Sequence, residues 1–191
     1  MSSETNTLAA IGVGGRLNWL VGGALGGLVG AVLFGGLLWV VDPELVTDAI
    51  PQTYGFESGG PTGWAFHLVH GVVLGVVFGF LITRKPILGT LTADVETPIL
   101  ASLGPNGRIV LAGLVYGLAI WVLLPGVILS ILVTVGDVND LFPWASILNL
   151  VGHLLYGMLL GALVSVFVDL HVEASEATAP FEEATDSSTR P

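Results

Sequence analysis

Four uninterrupted apolar stretches dominate the chain: Leu17 to Val41, Trp64 to Thr83, Ile109 to Val135 and Ser146 to Val168. Each is about as long as the roughly 20 residues an α-helix needs to cross bilayer hydrocarbon, or longer. No Asp, Glu, Lys or Arg falls inside any of them. Charges stand at their edges instead, as Arg16, Asp42, Arg84, Arg108, Asp137 and Asp169. The period-two alternation of a membrane β-strand is missing, so a barrel is not expected. The first stretch exceeds the roughly 7–15 residues of a signal-peptide core and lacks an A-x-A cleavage site, so it reads as a retained helix. The expected fold is an all-α membrane protein of four transmembrane helices, built as two parallel helical hairpins.

The chain divides accordingly into a segment 1–16, a first hairpin 17–83, a loop 84–108, a second hairpin 109–168 and a tail 169–191. Neither the 84–108 loop nor the tail is long enough for a hydrophobic core of its own. The tail is acidic and rich in Ser, Thr and Pro, a composition expected to be disordered. In the loop 42–63, a short interfacial helix is expected between Pro43 and Ile50, broken by Pro51 and by Gly59-Gly60-Pro61.

Composition sharpens this picture. Hydrophobic residues make up 53% of the 191 and charged residues 10%, against roughly 25% charged in soluble domains. The net charge of −10 argues against nucleic-acid partners, because phosphate binding needs Lys and Arg. Without cysteine, disulfides and thiolate metal sites are excluded. Arg16, Arg84, Lys85, Arg108 and Arg190 all fall on one side of the four-span topology, and loops 42–63 and 136–145 hold no basic residue. Basic residues collect on the cytoplasmic side, so both termini are expected in the cytoplasm, with the acidic loops outside the plasma membrane.

The halves echo each other. HLVHGVVLG at 67–75 aligns with HLLYGMLLG at 153–161, pairing His67 with His153, His70 with Tyr156, Gly71 with Gly157 and Gly75 with Gly161. On the leading helices the reading pairs Gly22 with Gly113 and Gly26 with Gly117. Both halves run inside to outside and back, which makes a parallel repeat about an axis along the membrane normal.

Glycines at four-residue spacing run through the spans: Gly22, Gly26 and Gly30; Gly71 and Gly75; Gly113 and Gly117; Gly157 and Gly161. In lipid, small residues let helix backbones approach closely. Packing is favoured here over a substrate path. Glycines on more than one face of the first helix suggest a homo-oligomer or a larger membrane complex. Pro125 removes a backbone hydrogen bond within the third span and is expected to kink it.

Ionisable groups within a membrane are functional candidates by default. His67 and His70 lie one turn apart, and Asn149, His153 and Tyr156 share a stripe on the fourth span. By helical rise, His67 lies about 5 Å and His153 about 10 Å from the outer edge. Four readings follow. The histidines make interhelical hydrogen bonds, with Tyr156 and Asn149 as partners. His67 and His153 ligate a haem b as axial ligands of a redox subunit. The three histidines hold a metal ion, a reading weakened by the absence of a carboxylate or thiolate nearby. Or a His-lined interior serves a small transporter or channel. The structural reading leads, and the favoured function is a non-enzymatic assembly or accessory protein. No Walker loop, H-E-x-x-H or G-x-S-x-G motif occurs, and no carboxylate lies within a span, so no catalytic residue is assigned.

The HLVHG and HLLYG motifs, with the acidic bias, resemble small four-helix membrane proteins of halophilic archaea over residues 15–168. The resemblance implies the fold and the membrane location, and no activity. Some members of that family are labelled histidine kinases, a label these residues do not support, since no segment outside the spans is large enough to bind ATP.

Overall fold

The computed structural model describes residues 17–92, 102–135 and 147–168, and of 92 and 124–135 the backbone alone. The segment 1–16, the acidic loop with Asp137 and Asp140, and the tail lie outside these residues. Four helices are long and apolar enough to cross a membrane: α1 (Asn18–Val41), α3 (Gly60–Ile82), α5 (Gly104–Val135) and α6 (Ile147–Phe167). Between α1 and α3 lie a π-helical turn (Leu45–Ala49) and a short α2 (Ile50–Thr53); α4 (Lys85–Thr92) follows α3. No strand occurs among the described residues. The spans are apolar on every side, as lipid demands, because a helix satisfies its own backbone there. Val32, Val69, Val115, Val122 and Val166 stand exposed on the outer surface.

One expectation about a proline is corrected. Pro51 does not end a helix; it lies in the first turn of α2, where its missing N–H leaves no bond unmade. The short helix does end ahead of Gly59-Gly60-Pro61, and Gly60-Pro61 opens α3, four residues before Trp64. Pro125 falls inside α5 without ending it.

The helices pack in the order α3, α1, α6, α5, and α3 meets α5 only sparsely. Glycine dictates this order. A Cβ on Gly27 would fall on the Gly71 carbonyl, and one on Gly23 on the Gly75 carbonyl, so α1 and α3 touch backbone to backbone. A Cβ on Gly113 would fall on the Gly157 carbonyl, and one on Gly117 on the His153 carbonyl, so α5 and α6 do the same. The other glycine face of α1 receives α6: Gly22 takes Phe167, Gly26 takes Leu160 and Gly30 takes Tyr156. Both glycine faces of α1 are therefore filled from within the chain. Neither face needs another copy of the chain to fill it.

These contacts also revise the pairing on the leading helices. Gly27 stands to Gly71 as Gly113 stands to Gly157, and Ala31 follows Gly27 as Gly117 follows Gly113. At that single offset, Gly27-Leu28-Val29 lies over Gly113-Leu114-Val115, in place of the Gly22–Gly113 pairing.

At the basic end, Leu88 and Leu91 of α4 are buried in the common core, and Arg108 donates to the Leu91 carbonyl at 2.9 Å. Arg84 lies over the Phe80 ring at 3.9 Å. Ile82, Ile109, Leu160 and Val164 close the interior there, each at most 1% exposed.

Candidate functional site

The glycine face that α1 offers to α6 has no counterpart between α5 and α3. At the common offset, Gly26 and Gly30 of α1 correspond to Ala112 and Tyr116 of α5. Tyr116 reaches across to α3, donating to the Leu74 carbonyl at 2.8 Å and packing on Phe78 with centroids 5.2 Å apart. A bulky ring thus holds α5 away from α3 where glycine lets α1 and α6 close. Towards the acidic end, a cavity of about 180 Å³ opens in the interior.

His67, His70, Asn149, His153 and Tyr156 all line this cavity, with Gly71. Phe34, Leu38, Leu74 and Ile120 supply much of its apolar wall. Of the packing glycines named from sequence, Gly71 alone borders it. The others, Gly22, Gly26, Gly30, Gly75, Gly113, Gly117, Gly157 and Gly161, make close helix contacts.

Sequence reasoning missed the roof. Leu45, Ile50, Thr53 and Tyr54 border the cavity from the loop between α1 and α3. The loop is pinned where the Val46 carbonyl enters the space left by Gly63 and where the Gly59 N–H donates to the Thr47 carbonyl at 2.8 Å. Gly55, at φ 74°, ends α2 in a left-handed turn closed by the Phe56 N–H on the Pro51 carbonyl at 3.1 Å. The turn sets Tyr54 flat on Phe66, centroids 4.8 Å apart, with its hydroxyl on His70 Nε2. Burial pushes the Tyr54 phenol above its ordinary value. The proline and glycine signals of this loop were legible, but not the direction in which they aim Tyr54.

Of the partners expected for the histidines, Asn149 takes part through its backbone carbonyl and Tyr156 does not. Tyr156 donates to the Gly71 carbonyl at 2.7 Å rather than to a histidine. His67 Nε2 bonds the Ala31 carbonyl at 2.9 Å, and His153 Nδ1 bonds the Asn149 carbonyl at 2.7 Å. A carbonyl only accepts, so these bonds assign the proton to Nε2 of His67 and to Nδ1 of His153. The imidazoles use opposite nitrogens as donors. His70 bonds the Phe66 carbonyl, which leaves its Nε2 to accept from Tyr54.

Phe34 wedges between the two outer rings. Its centroid is 5.4 Å from His67 and 4.9 Å from His153, edge-on to both. Its own edge occupies the space left by Gly152. A haem does not fit this arrangement. Sites for drug-sized ligands begin at about 300 Å³, a macrocycle needs more, and Phe34 fills the space between the two proposed axial ligands. Among the described residues no three His or carboxylates converge as ligands for a metal ion.

No family model, no curated protein and no solved structure matches the chain.

Proposed function

We propose that this multi-pass membrane protein works by binding, not by catalysis, and that the histidine-lined cavity is where it binds. The single observation carrying the reading is the cavity itself. Membrane helices with this much glycine ordinarily close on each other, and here Tyr116 props α5 against α3 beside a space bordered by His67, His70, Asn149, His153 and Tyr156. An apolar cavity of roughly 150 Å³ takes a benzene-sized guest, so the occupant is small. Val73 borders the cavity and is 55% exposed on the outer face of α3, which supports entry from the lipid between α3 and α5.

The solid core at the basic end favours a binding protein over an open channel. Assembly with other subunits loses its sequence argument once both glycine faces of α1 are filled. The basic end, with Arg84, Lys85 and Arg108, faces the cytoplasm of a plasma-membrane protein under the positive-inside rule, and the two hairpins derive from a duplication.

The test is thermal unfolding in detergent with a panel of ring-sized apolar guests. A ligand that binds only the folded state raises the midpoint in proportion to RT ln(1 + [L]/Kd). Guests of benzene size are expected to raise it, and Ile120→Trp, which fills the cavity, to remove the effect. A midpoint unmoved by every guest would sink the proposal.

A further inference from the structure

We infer that the cavity selects a small uncharged molecule bearing N–H or O–H donors, and rejects anions and acceptor-only ligands. The inference rests on the binding reading and adds the chemical class. His67 and His153 are 9% and 8% exposed, and both line the cavity. Each commits one ring nitrogen to a backbone carbonyl, as donor. The second nitrogen of each, Nδ1 of His67 and Nε2 of His153, therefore carries a lone pair and no proton.

Neither bare nitrogen has a protein hydrogen bond. Nor is either sealed off: among the described residues the one buried side-chain atom without a partner is Nε1 of Trp121. For residues this buried, the open space the bare nitrogens reach is the cavity. Two acceptors thus flank Phe34 with nothing to accept.

The hydroxyls of the lining offer little in the other sense, and the Asn149 amide beside them has a partner of its own. The Tyr156 proton is spent on the Gly71 carbonyl, that of Thr53 on the Ala49 carbonyl, and that of Tyr54 on His70. Among the described residues no Lys or Arg borders the cavity to hold an anion, and no Asp or Glu borders it to hold a cation. An uncharged guest with donors satisfies both imidazoles at no ionic desolvation cost. A site built to hydrogen-bond one partner discriminates strongly against an analogue that leaves its buried polar groups unpaired.

The experiment uses the full chain in nanodiscs, with empty nanodiscs subtracted for partitioning into lipid. Four probes of similar size are titrated calorimetrically: aniline and phenol as donors, benzaldehyde as acceptor only, toluene as neither. Aniline and phenol are expected to bind more tightly than toluene by about fivefold for each hydrogen bond formed, and benzaldehyde no more tightly than toluene. His153→Phe is expected to weaken the preference, since Nδ1 of His67 still accepts, and the double variant His67→Phe/His153→Phe to erase it; should these variants fail to fold, the series on the unaltered protein still decides. Benzaldehyde binding as tightly as aniline would overturn the donor inference and leave the binding reading intact. Failure of all four probes, toluene included, would overturn the binding reading and this inference with it.

Discussion

Tyr116 stands on α5 at the register position that Gly30 holds on α1, and that exchange separates the closed side of the bundle from the open one. Gly30 admits the Tyr156 ring and lets α1 and α6 meet. Tyr116 meets the Leu74 carbonyl with its hydroxyl instead, as a strut between α5 and α3.

Removing the strut should collapse the cavity. Tyr116→Gly is expected to draw α3 and α5 together and abolish guest binding. Tyr116→Phe, which keeps the ring and loses only the hydrogen bond, is expected to cost about 0.6 kcal/mol, the average for such bonds in membranes, and to keep binding. Spin-label distances between exposed Val77 and Leu118 report the separation; an unchanged distance in Tyr116→Gly would count against the strut.

Glycines should divide by what faces them. Gly27→Ala sets a methyl on the Gly71 carbonyl, backbone that cannot step aside, and is expected to destabilise by about 1–3 kcal/mol, the usual range for overpacking. Gly36→Ala meets nothing within 4 Å and is expected to be neutral or to gain from helix propensity. Unfolding in mixed micelles compares them, and equal losses would refute the assignment of faces.

Phe34 and Gly152 should behave as one unit. Gly152→Ala places a methyl into the Phe34 ring, and Phe34→Leu shortens the side chain that fills the gap. In contact, the two are expected to couple by about 0.5–3 kcal/mol, the double variant losing less than the singles combined. Additive losses would mean the ring does not occupy that gap.

The roof should respond to alkaline pH. Burial raises the Tyr54 phenol above its ordinary value of 10.0, so the folded state favours the protonated form. Its contribution is complete below pH 10 and is lost as pH rises through the folded value. Ionisation removes the proton given to His70, so guest affinity is expected to fall above pH 10 in the unaltered protein and to stay flat in Tyr54→Phe. Asp48 runs the other way. Hydrogen bonds from Ser58 and Thr47 lower its carboxyl, so its contribution is present above the unfolded value of 3.8 and fades as pH falls through the folded one. Matching alkaline profiles in both proteins would exclude Tyr54 as the cause.

The spans were legible because hydropathy and the exclusion of charge act on every residue of a membrane helix at once. Grouping His67, His70, Asn149, His153 and Tyr156 was also legible, since helical spacing alone puts them on shared faces. Their partners were not: the Ala31 and Asn149 carbonyls carry no side-chain signature, and backbone acceptors become available only where helices are close. Which glycine face of α1 meets α3 and which meets α6 depends on the packing order, and small residues advertise closeness without naming a neighbour. The roof was half legible, as turn residues mark a bend but not where Tyr54 points after it.

Nitrogen-15 NMR of histidine-labelled protein in nanodiscs, with and without aniline, tests the central claim most directly. The account predicts neutral imidazoles of opposite tautomer, Nε2–H for His67 and Nδ1–H for His153, with the bare nitrogen of each shifting as aniline is added. One common tautomer for both rings, or bare nitrogens indifferent to saturating aniline, would contradict it.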